Sequence, residues 1–344
     1  GYTDTGQPTK GSGVPGGGQK IGQLDTYALL AHGAKANLRE MQTYKSDKNQ
    51  EAVWAAVMTG SPLPAPKVPT SMLHFQDYLR GMGISMDKKG DNYVLSPMTD
   101  KQTKAMASGE IKLPAKALYA KGGMTIEEKN GLFDNKITGG LKGTKWGYID
   151  LAVRMPNPVF EKPIKALLGL KDPEFEELVG PKLIDGKSGF QILESKLKAI
   201  DVDKELKAAQ KALPNAKGSD LNKLYRKVRY LKALQELNIS PSDAYLNKAL
   251  PVIPPKLRPI KVGFDGSQIV DDFNYLYLNI GQMNDQIKEM DRATPISIKN
   301  EQYSSMYDAV RAIKMFGFDQ GSGSKKRHYS GIMEKMTGKG KQPK

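Results

Sequence analysis

The stretch that decides the architecture runs from Asp271 to Phe316, DDFNYLYLNIGQMNDQIKEMDRATPISIKNEQYSSMYDAVRAIKMF. Phe273, Leu276, Ile280, Met283, Ile287 and Met290 follow one another at steps of three and four residues. That period puts all six on one stripe of an α-helix. Pro295 interrupts the pattern, and Tyr303, Met306, Val310 and Ile313 resume it. Two amphipathic helices joined by a short turn can bury their stripes against each other, so the sequence predicts an antiparallel coiled-coil hairpin over 271–316. An ordinary pair of core helices fits the same pattern. Asp271 and Asp272, adjacent at the start of the first helix, read as capping residues rather than metal ligands.

Upstream of the hairpin, VIPPKLRPI (Val252–Ile260) carries Pro254, Pro255 and Pro259. Fixed φ angles at three positions stiffen a loop. Lys256 and Arg258 are its cations and its candidates for contact with phosphate. Residues 172–250 read as mostly helical. Ile192, Leu193, Leu197 and Ile200 share one face, and Leu221, Leu224, Val228 and Leu231 form a heptad-like seam. Gly131–Val153 alternates apolar residues with glycine, which predicts short strands, and Tyr93–Leu95 is another strand candidate. Nearer the N-terminus the expected helices are Gln23–Thr43, Ala52–Met58 and Ser71–Met82. The extended connector SPLPAPKVP (Ser61–Pro69) lies between the last two. Gly1–Lys20, rich in Gly, Pro, Ser and Thr, reads as a loop that needs a partner to order it.

Downstream of the hairpin, Gly321–Lys344 holds Lys325, Lys326, Arg327, Lys335, Lys339, Lys341 and Lys344 against one acid, Glu334. Interleaved glycines would let this backbone approach phosphates closely. A solvated basic tail is the competing reading. The whole chain agrees in sign: 344 residues carry 52 Lys and Arg against 37 Asp and Glu, a formal charge of +15. Such a surplus favours polyanionic partners, nucleic acid first. The hydrophobic fraction of 39% is enough for ordinary cores, and a mean hydropathy of -0.51 implies extensive surface. No cysteine is present, which excludes disulfides, thiolate catalysis and Cys-based zinc sites. The three histidines, His32, His74 and His328, are too few and too scattered for a His-rich metal site. No apolar run approaches the length of a membrane span, and the expected location is the cytoplasm.

Several stretches resemble the two large subunits of multisubunit DNA-dependent RNA polymerases. GGGQKIGQLDTYALLAHGAKANLREMQTYKSD (Gly16–Asp47) is similar to the C-terminal part of the second-largest, or β, subunit, with Lys20 where that family usually has Arg. The helix at Met72–Ile84 resembles the last helix of that subunit. LSPMTDKQTKAMASGEIKLP (Leu95–Pro114) then resembles the opening of the largest, or β′, subunit. GLFDNKITG and WGYIDLAVRMPNPVF continue it. Bacterial relatives place a cysteine-bound zinc ribbon between those two motifs. Only the short stretch around Leu141–Lys145 stands there, so the ribbon is expected to be deleted and the source to be diverged and viral. LPVIPPKLRPIKVGFDG (Leu250–Gly266) closely resembles the lid, DDFNYLYLNIGQMNDQIKEM and IKNEQYSSMYDAV the clamp helices, and GSKKRHYSGIMEKMTGKGKQ the rudder and the entrance to switch two.

The resemblance implies a mostly helical α+β clamp module with short strands, a coiled-coil hairpin and no zinc ribbon. Its expected parts are a β-type segment with the switch-three loop over 1–90, a β′-type clamp core over 91–250, the lid over 251–270, the clamp helices over 271–316, and the rudder with the start of switch two over 317–344. The junction falls near Asp87–Asn92. Both chain ends lie inside family elements, so a fragment, a split subunit or an engineered fusion is expected. The implied role is to hold template DNA and the RNA–DNA hybrid within a polymerase. Nucleic acid would be contacted by Lys256, Arg258, Lys325, Lys326, Arg327, Lys339, Lys341 and Lys344. A sigma-like promoter-recognition factor would dock at Met283, Asn284, Lys288, Lys299 and Glu301. Relatives offer an Arg where this chain has Met283, so a dedicated factor is expected. The family's catalytic Asp triad does not occur in this chain, and FDGS (Phe264–Ser267) is a superficial echo with a single Asp. No catalytic residue and no cofactor is therefore expected in this chain, which alone should be inactive. Magnesium belongs to the complete nucleotidyltransferase, as do the remaining subunits or segments. If the source is viral, the host cytoplasm or nucleoid is the location. A stand-alone regulator that mimics the clamp and captures an initiation factor is the alternative. A generic RNA-binding protein would need an aromatic stacking platform, and no such motif is apparent.

Overall fold

The computed structural model describes residues 9, 11, 21–45, 49–65, 68–90, 92–113, 129–262, 268–321 and 326–337. They fall into two compact units, residues 1–77 and 78–344.

The first unit holds α1 (Gln23–Ala31), α2 (Lys35–Gln42), α3 (Asn49–Thr59) and the start of α4 (Thr70–Met82). The single helix expected over Gln23–Thr43 is divided in two. Gly33 takes φ +76, a left-handed conformation that favours glycine, and the Ala34 amide turns back to Leu29 O. Of α1, α2 and α3, only Ala56 is buried, while Leu24, Trp54 and Met58 are exposed.

The second unit opens with Leu79 and Met82 of α4, both buried. An antiparallel hairpin follows, β1 (Ile84–Lys89) on β2 (Asn92–Pro97), in register from Ile84↔Pro97 to Lys89↔Asn92. The strand candidate at Tyr93–Leu95 lies in β2; of the stretch expected to hold the junction, Asp87–Lys89 lie in β1 and Asn92 in β2. α5 (Asp100–Met106) begins at a capping box: Thr99 Oγ1 accepts from Gln102 N, and Gln102 Oε1 accepts from Thr99 N.

Gly131–Val153 is strand only in its second half. Residues 131–146 are mostly turns, held by Asp134, whose carboxylate accepts from the amides of Asn130, Lys136 and Ile137. Those bonds, Asn130 foremost, lower the Asp134 pKa. Leu132, Phe133, Ile137 and Trp146 enter the core from these turns. β3 (Gly147–Pro156) then pairs antiparallel with β4 (Leu246–Val252), with a register shift between Asp150 and Met155.

Between β3 and β4 run α6 (Glu161–Leu168), α7 (Asp172–Val179), α8 (Gly189–Lys198), α9 (Val202–Ala212), α10 (Gly218–Leu237) and α11 (Pro241–Tyr245). Of the expected apolar faces, Leu193 and Leu197 of α8 and Leu231 of α10 are buried, Leu221, Leu224 and Val228 of α10 are half-buried, and Leu234 is a further buried residue of α10. After β4 come β5 (Ile260–Val262) and β6 (Gln268–Val270), paired antiparallel, then α12 (Asp272–Glu289) and α13 (Ile296–Lys314). β7 (Phe318–Gln320), β8 (Arg327–Tyr329) and α14 (Ile332–Thr337) complete the described residues.

α12 and α13 pack against each other. Phe273, Leu276, Ile280, Ile287, Val310 and Ile313 are all at most 7% exposed, as the stripe requires. The pair does not stand free. α12 also packs on β3 and β8, and buries Asn274, Tyr277, Leu278, Gly281 and Asn284 in addition to its stripe.

Candidate nucleic-acid interface

Four consecutive residues at the N-terminus of α12 each hold a different element. Asp271 is the N-cap: its Oδ1 accepts from Phe273 N at 3.0 Å, and the carboxylate pairs with Lys335 Nζ of α14 at 2.5 Å. Asp272 Oδ2 accepts from Ser330 N, and Oδ1 lies 3.5 Å from Arg327 Nη2 of β8. The Phe273 ring meets Tyr78 of α4 edge-on, and Lys335 Nζ lies 3.9 Å from its centroid. Asn274, fully buried, bonds the segment between β4 and β5 through both ends of its amide. A capping carboxylate is favourable at a helix N-terminus, where it meets free amides and the positive end of the dipole. The same two acids serve as anchors for the elements that follow.

Arg258 is the partner of Asn274, and its placement corrects the expectation of a phosphate contact. The side chain is 0% exposed. Nε donates to Ile253 O at 2.7 Å, Nη1 to Asn274 Oδ1 at 2.7 Å and Nη2 to Leu132 O, while the guanidinium stacks over Phe133. Burial pulls its pKa down to about 10, which leaves it charged at neutral pH. The planar fork of Arg saturates three acceptors that a point-charge lysine could not reach together. Tyr277 adds to the junction, accepting from Ile253 N and donating to Pro251 O, and burial raises its pKa. Lys256, two residues before Arg258, is exposed.

Lys326 and Arg327 flank the start of β8. Lys326 pairs with Asp319 at 2.6 Å. Arg327, half-exposed, lies over the rings of Tyr275 and Tyr329. Lys325, Lys339, Lys341 and Lys344 lie outside the described residues. Lys335, counted among the basic tail residues, is drawn inward by Asp271 and Phe273.

The residues expected to dock a factor separate into two groups. Lys288 and Glu301 are exposed, while Met283 and Lys299 are half-buried. Lys288 Nζ donates to Asp150 O at 2.6 Å and Lys299 Nζ to Arg292 O at 3.4 Å. Asn284 is not an outward position. It is 6% exposed, and its amide bridges β3 by accepting from Ala152 N at 2.7 Å and donating to Asp150 O at 2.9 Å. Those contacts close the gap left by the register shift in β3. Beside it a cleft of about 240 Å³ opens between residues 110–113 and α12, lined in part by Lys112, Asp285 and Lys288.

Two structural residues escaped the sequence reading. Asn300 of α13, fully buried, donates to the carbonyls of Gly180, Pro181 and Lys182 and accepts from Ser188 Oγ. Lys314, at the end of α13, is fully buried with no hydrogen-bond partner for Nζ, and burial lowers its pKa to about 7. Neither has a signature in local sequence, because each is defined by what distant segments bring to it. Among the described residues no group of three acidic or histidine side chains could hold a metal ion. Asp271 is engaged as a cap and in an ion pair with Lys335, and Asp272 in an ion pair with Arg327.

No family model matches the chain. Curated relatives do, and they are of two kinds. The first kind is the β subunit of DNA-directed RNA polymerase. The Phytoplasma mali protein is 31% identical over 109 residues, 30% of this chain and 9% of that protein. The Petrotoga mobilis protein is 40% identical over 72 residues, 20% of this chain and 6% of that protein. The second kind is the β′ subunit, for which the Streptomyces avermitilis protein is 29% identical over 163 residues, 45% of this chain and 12% of that protein. The chain is thus related to both large subunits of a multisubunit RNA polymerase, and it spans between 6 and 12% of the length of these relatives.

Proposed function

We propose that this chain is the clamp portion of a DNA-directed RNA polymerase, in which a β-type C-terminal segment is joined to a β′-type N-terminal segment. The observation that carries this reading is the similarity of one chain to both subunits. In this reading the chain holds DNA and the RNA–DNA hybrid and supplies no catalytic residue. Magnesium, bound by other parts of the enzyme, would supply the chemistry of nucleotide transfer. The proposed junction, near 87–92, would lie toward the turn of the β1–β2 hairpin, where Asp87, Lys88, Lys89 and Asn92 are exposed.

Lys256, Lys326, Arg327, Lys325, Lys339, Lys341 and Lys344 remain the proposed nucleic-acid contacts; Arg258 does not. A promoter-recognition factor is proposed to dock on the α12–α13 pair through Met283, Lys288, Lys299 and Glu301, with Asn284 supporting the face from inside. The buried stripe gives that face stiffness, and recognition falls to the exposed groups. The test has two arms. Co-expression with the remaining polymerase segments should yield a complex that makes RNA, whereas the purified chain alone should make none. Reversing charge at Lys299 and Glu301 should then lower promoter-specific initiation and spare elongation on a preformed scaffold. Synthesis by the chain alone, or failure to join the complex, overturns the assignment. Equal effects on initiation and elongation, or none on either, overturn the docking face.

A further inference from the structure

We propose that His328 is a proton-operated latch fastening the β7–β8 hairpin to α14. The imidazole lies between two carboxylates from different elements. Nδ1 is 2.7 Å from Asp319 Oδ1 of β7, its direct cross-strand neighbour, and Nε2 is 2.8 Å from Glu334 Oε2 of α14. An ionised carboxylate only accepts. Both contacts are therefore satisfied together only by the imidazolium, which carries an N–H on each nitrogen. The neutral ring has one N–H and must turn a lone pair toward one of the two acids.

The surrounding charges make Glu334 the contact that depends on the proton. Lys326, just before β8, takes the other oxygen of Asp319 at 2.6 Å. Arg327 of β8 is paired with Asp272 at the start of α12, and Lys335 of α14 with Asp271 before it. His328 is the one ion-pair partner of Glu334 among the described residues. Loss of the proton removes that cation and leaves hairpin and helix joined at this point by at most one hydrogen bond from a neutral imidazole. The two carboxylates, Glu334 before Asp319, raise the His328 pKa, so the closed form persists above the ordinary histidine range. Because the folded-state pKa is raised, the stabilisation is complete below the unfolded value and disappears as pH climbs through the folded one. The ring is 43% exposed, so salt weakens the latch. This inference does not rest on the polymerase reading, since the contacts lie within the chain itself.

Hydrogen exchange of the full chain, corrected for the intrinsic pH dependence of exchange, tests it. As the pH is raised from about 6, just below the ordinary histidine value, peptides covering Phe318–Gln320 and Arg327–Thr337 should lose protection while peptides from α8 do not. His328→Gln, which cannot titrate, should abolish the dependence. Glu334→Gln should shift its midpoint toward the ordinary histidine value. Flat protection in the wild type, or an equal loss in His328→Gln, overturns the latch. So does an NMR titration that places His328 at or below about 6.5.

Discussion

Arg258 offers the sharpest test of what the structure adds. In the lid-like segment it resembles a phosphate contact, yet it is fully buried on three protein acceptors. Arg258→Ala leaves Ile253 O, Leu132 O and Asn274 Oδ1 without their donor. Each orphaned buried acceptor costs about 1–3 kcal/mol, offset in part because a costly buried cation is removed as well. The vacated stem adds a cavity cost. A net loss of about 3–5 kcal/mol is expected, in line with breaking other buried charged networks. Arg258→Met keeps most of the stem volume, so it should recover part of that loss but not the acceptors. Arg258→Met combined with Asn274→Leu should be less destabilised than the sum of the single changes, because the pair shares one interaction.

The assay is urea unfolding of the full chain carrying Trp54→Phe. Buried Trp146, the second of the two tryptophans, then reports on residues 78–344 alone. DNA binding by the folded variants is measured beside it. If Arg258→Ala and Arg258→Met both fall within about 1 kcal/mol of the parent, below the cost of even one orphaned acceptor, the strut is refuted. Weakened DNA binding at unchanged stability would return Arg258 to phosphate recognition.

Lys314, buried with its pKa lowered to about 7 from 10.5, should make stability rise with pH between those values. The unfolded chain binds up to one more proton there, so stability gains at most about 1.4 kcal/mol for each pH unit. Lys314→Met should be more stable at neutral pH and lose that slope, and a wild-type melting temperature unchanged from pH 7 to 9 would contradict this. Gly281→Ala should destabilise by about 1–3 kcal/mol, since a Cβ there would sit 2.4 Å from Leu113 Cβ, and Leu113→Ala, which keeps that Cβ, should not restore the loss. On the proposed reading, Lys339→Ala with Lys341→Ala should lower the salt slope of DNA binding by about two, one for each proposed phosphate contact. An unchanged slope would make that segment a solvated tail.

Periodicity was the legible part of this fold. The stripe from Phe273 to Met290 and its resumption after Pro295 locate α12 and α13 to within a residue or two, because burial on one face imposes helical spacing on apolar positions. The faces of α8 and α10 were legible for the same reason. Strands were harder to read. β1 carries two lysines and β4 a lysine and a proline in short segments, and the pairing of β4 depends on β3, far back in the chain. The division at Gly33 was missed because a glycine among good helix formers leaves the pattern intact on both sides while φ changes sign.

The site was less legible than the fold, and its errors point one way. Asn284 and Arg258 were assigned outward because polar side chains are mostly exposed. Both are buried because backbone irregularities elsewhere create acceptors or donors that need them: the register shift in β3 for Asn284, and the turns around Pro254 and Leu132 for Arg258. No local pattern records such a demand. The correction also changes how the module is built. Asn274 ties the lid-like segment to α12, Asp272 ties β8, Asp271 ties α14, and Phe273 meets α4, all within one turn of helix. Elements that resemble the lid, the rudder and the switch entrance therefore share one anchor. A displacement of the α12 N-terminus would carry all three, whereas a change at the far end of the α12–α13 pair must travel the length of α12 before it reaches them. Phe273, Leu276, Ile280 and Ile287 lie buried along that length of helix.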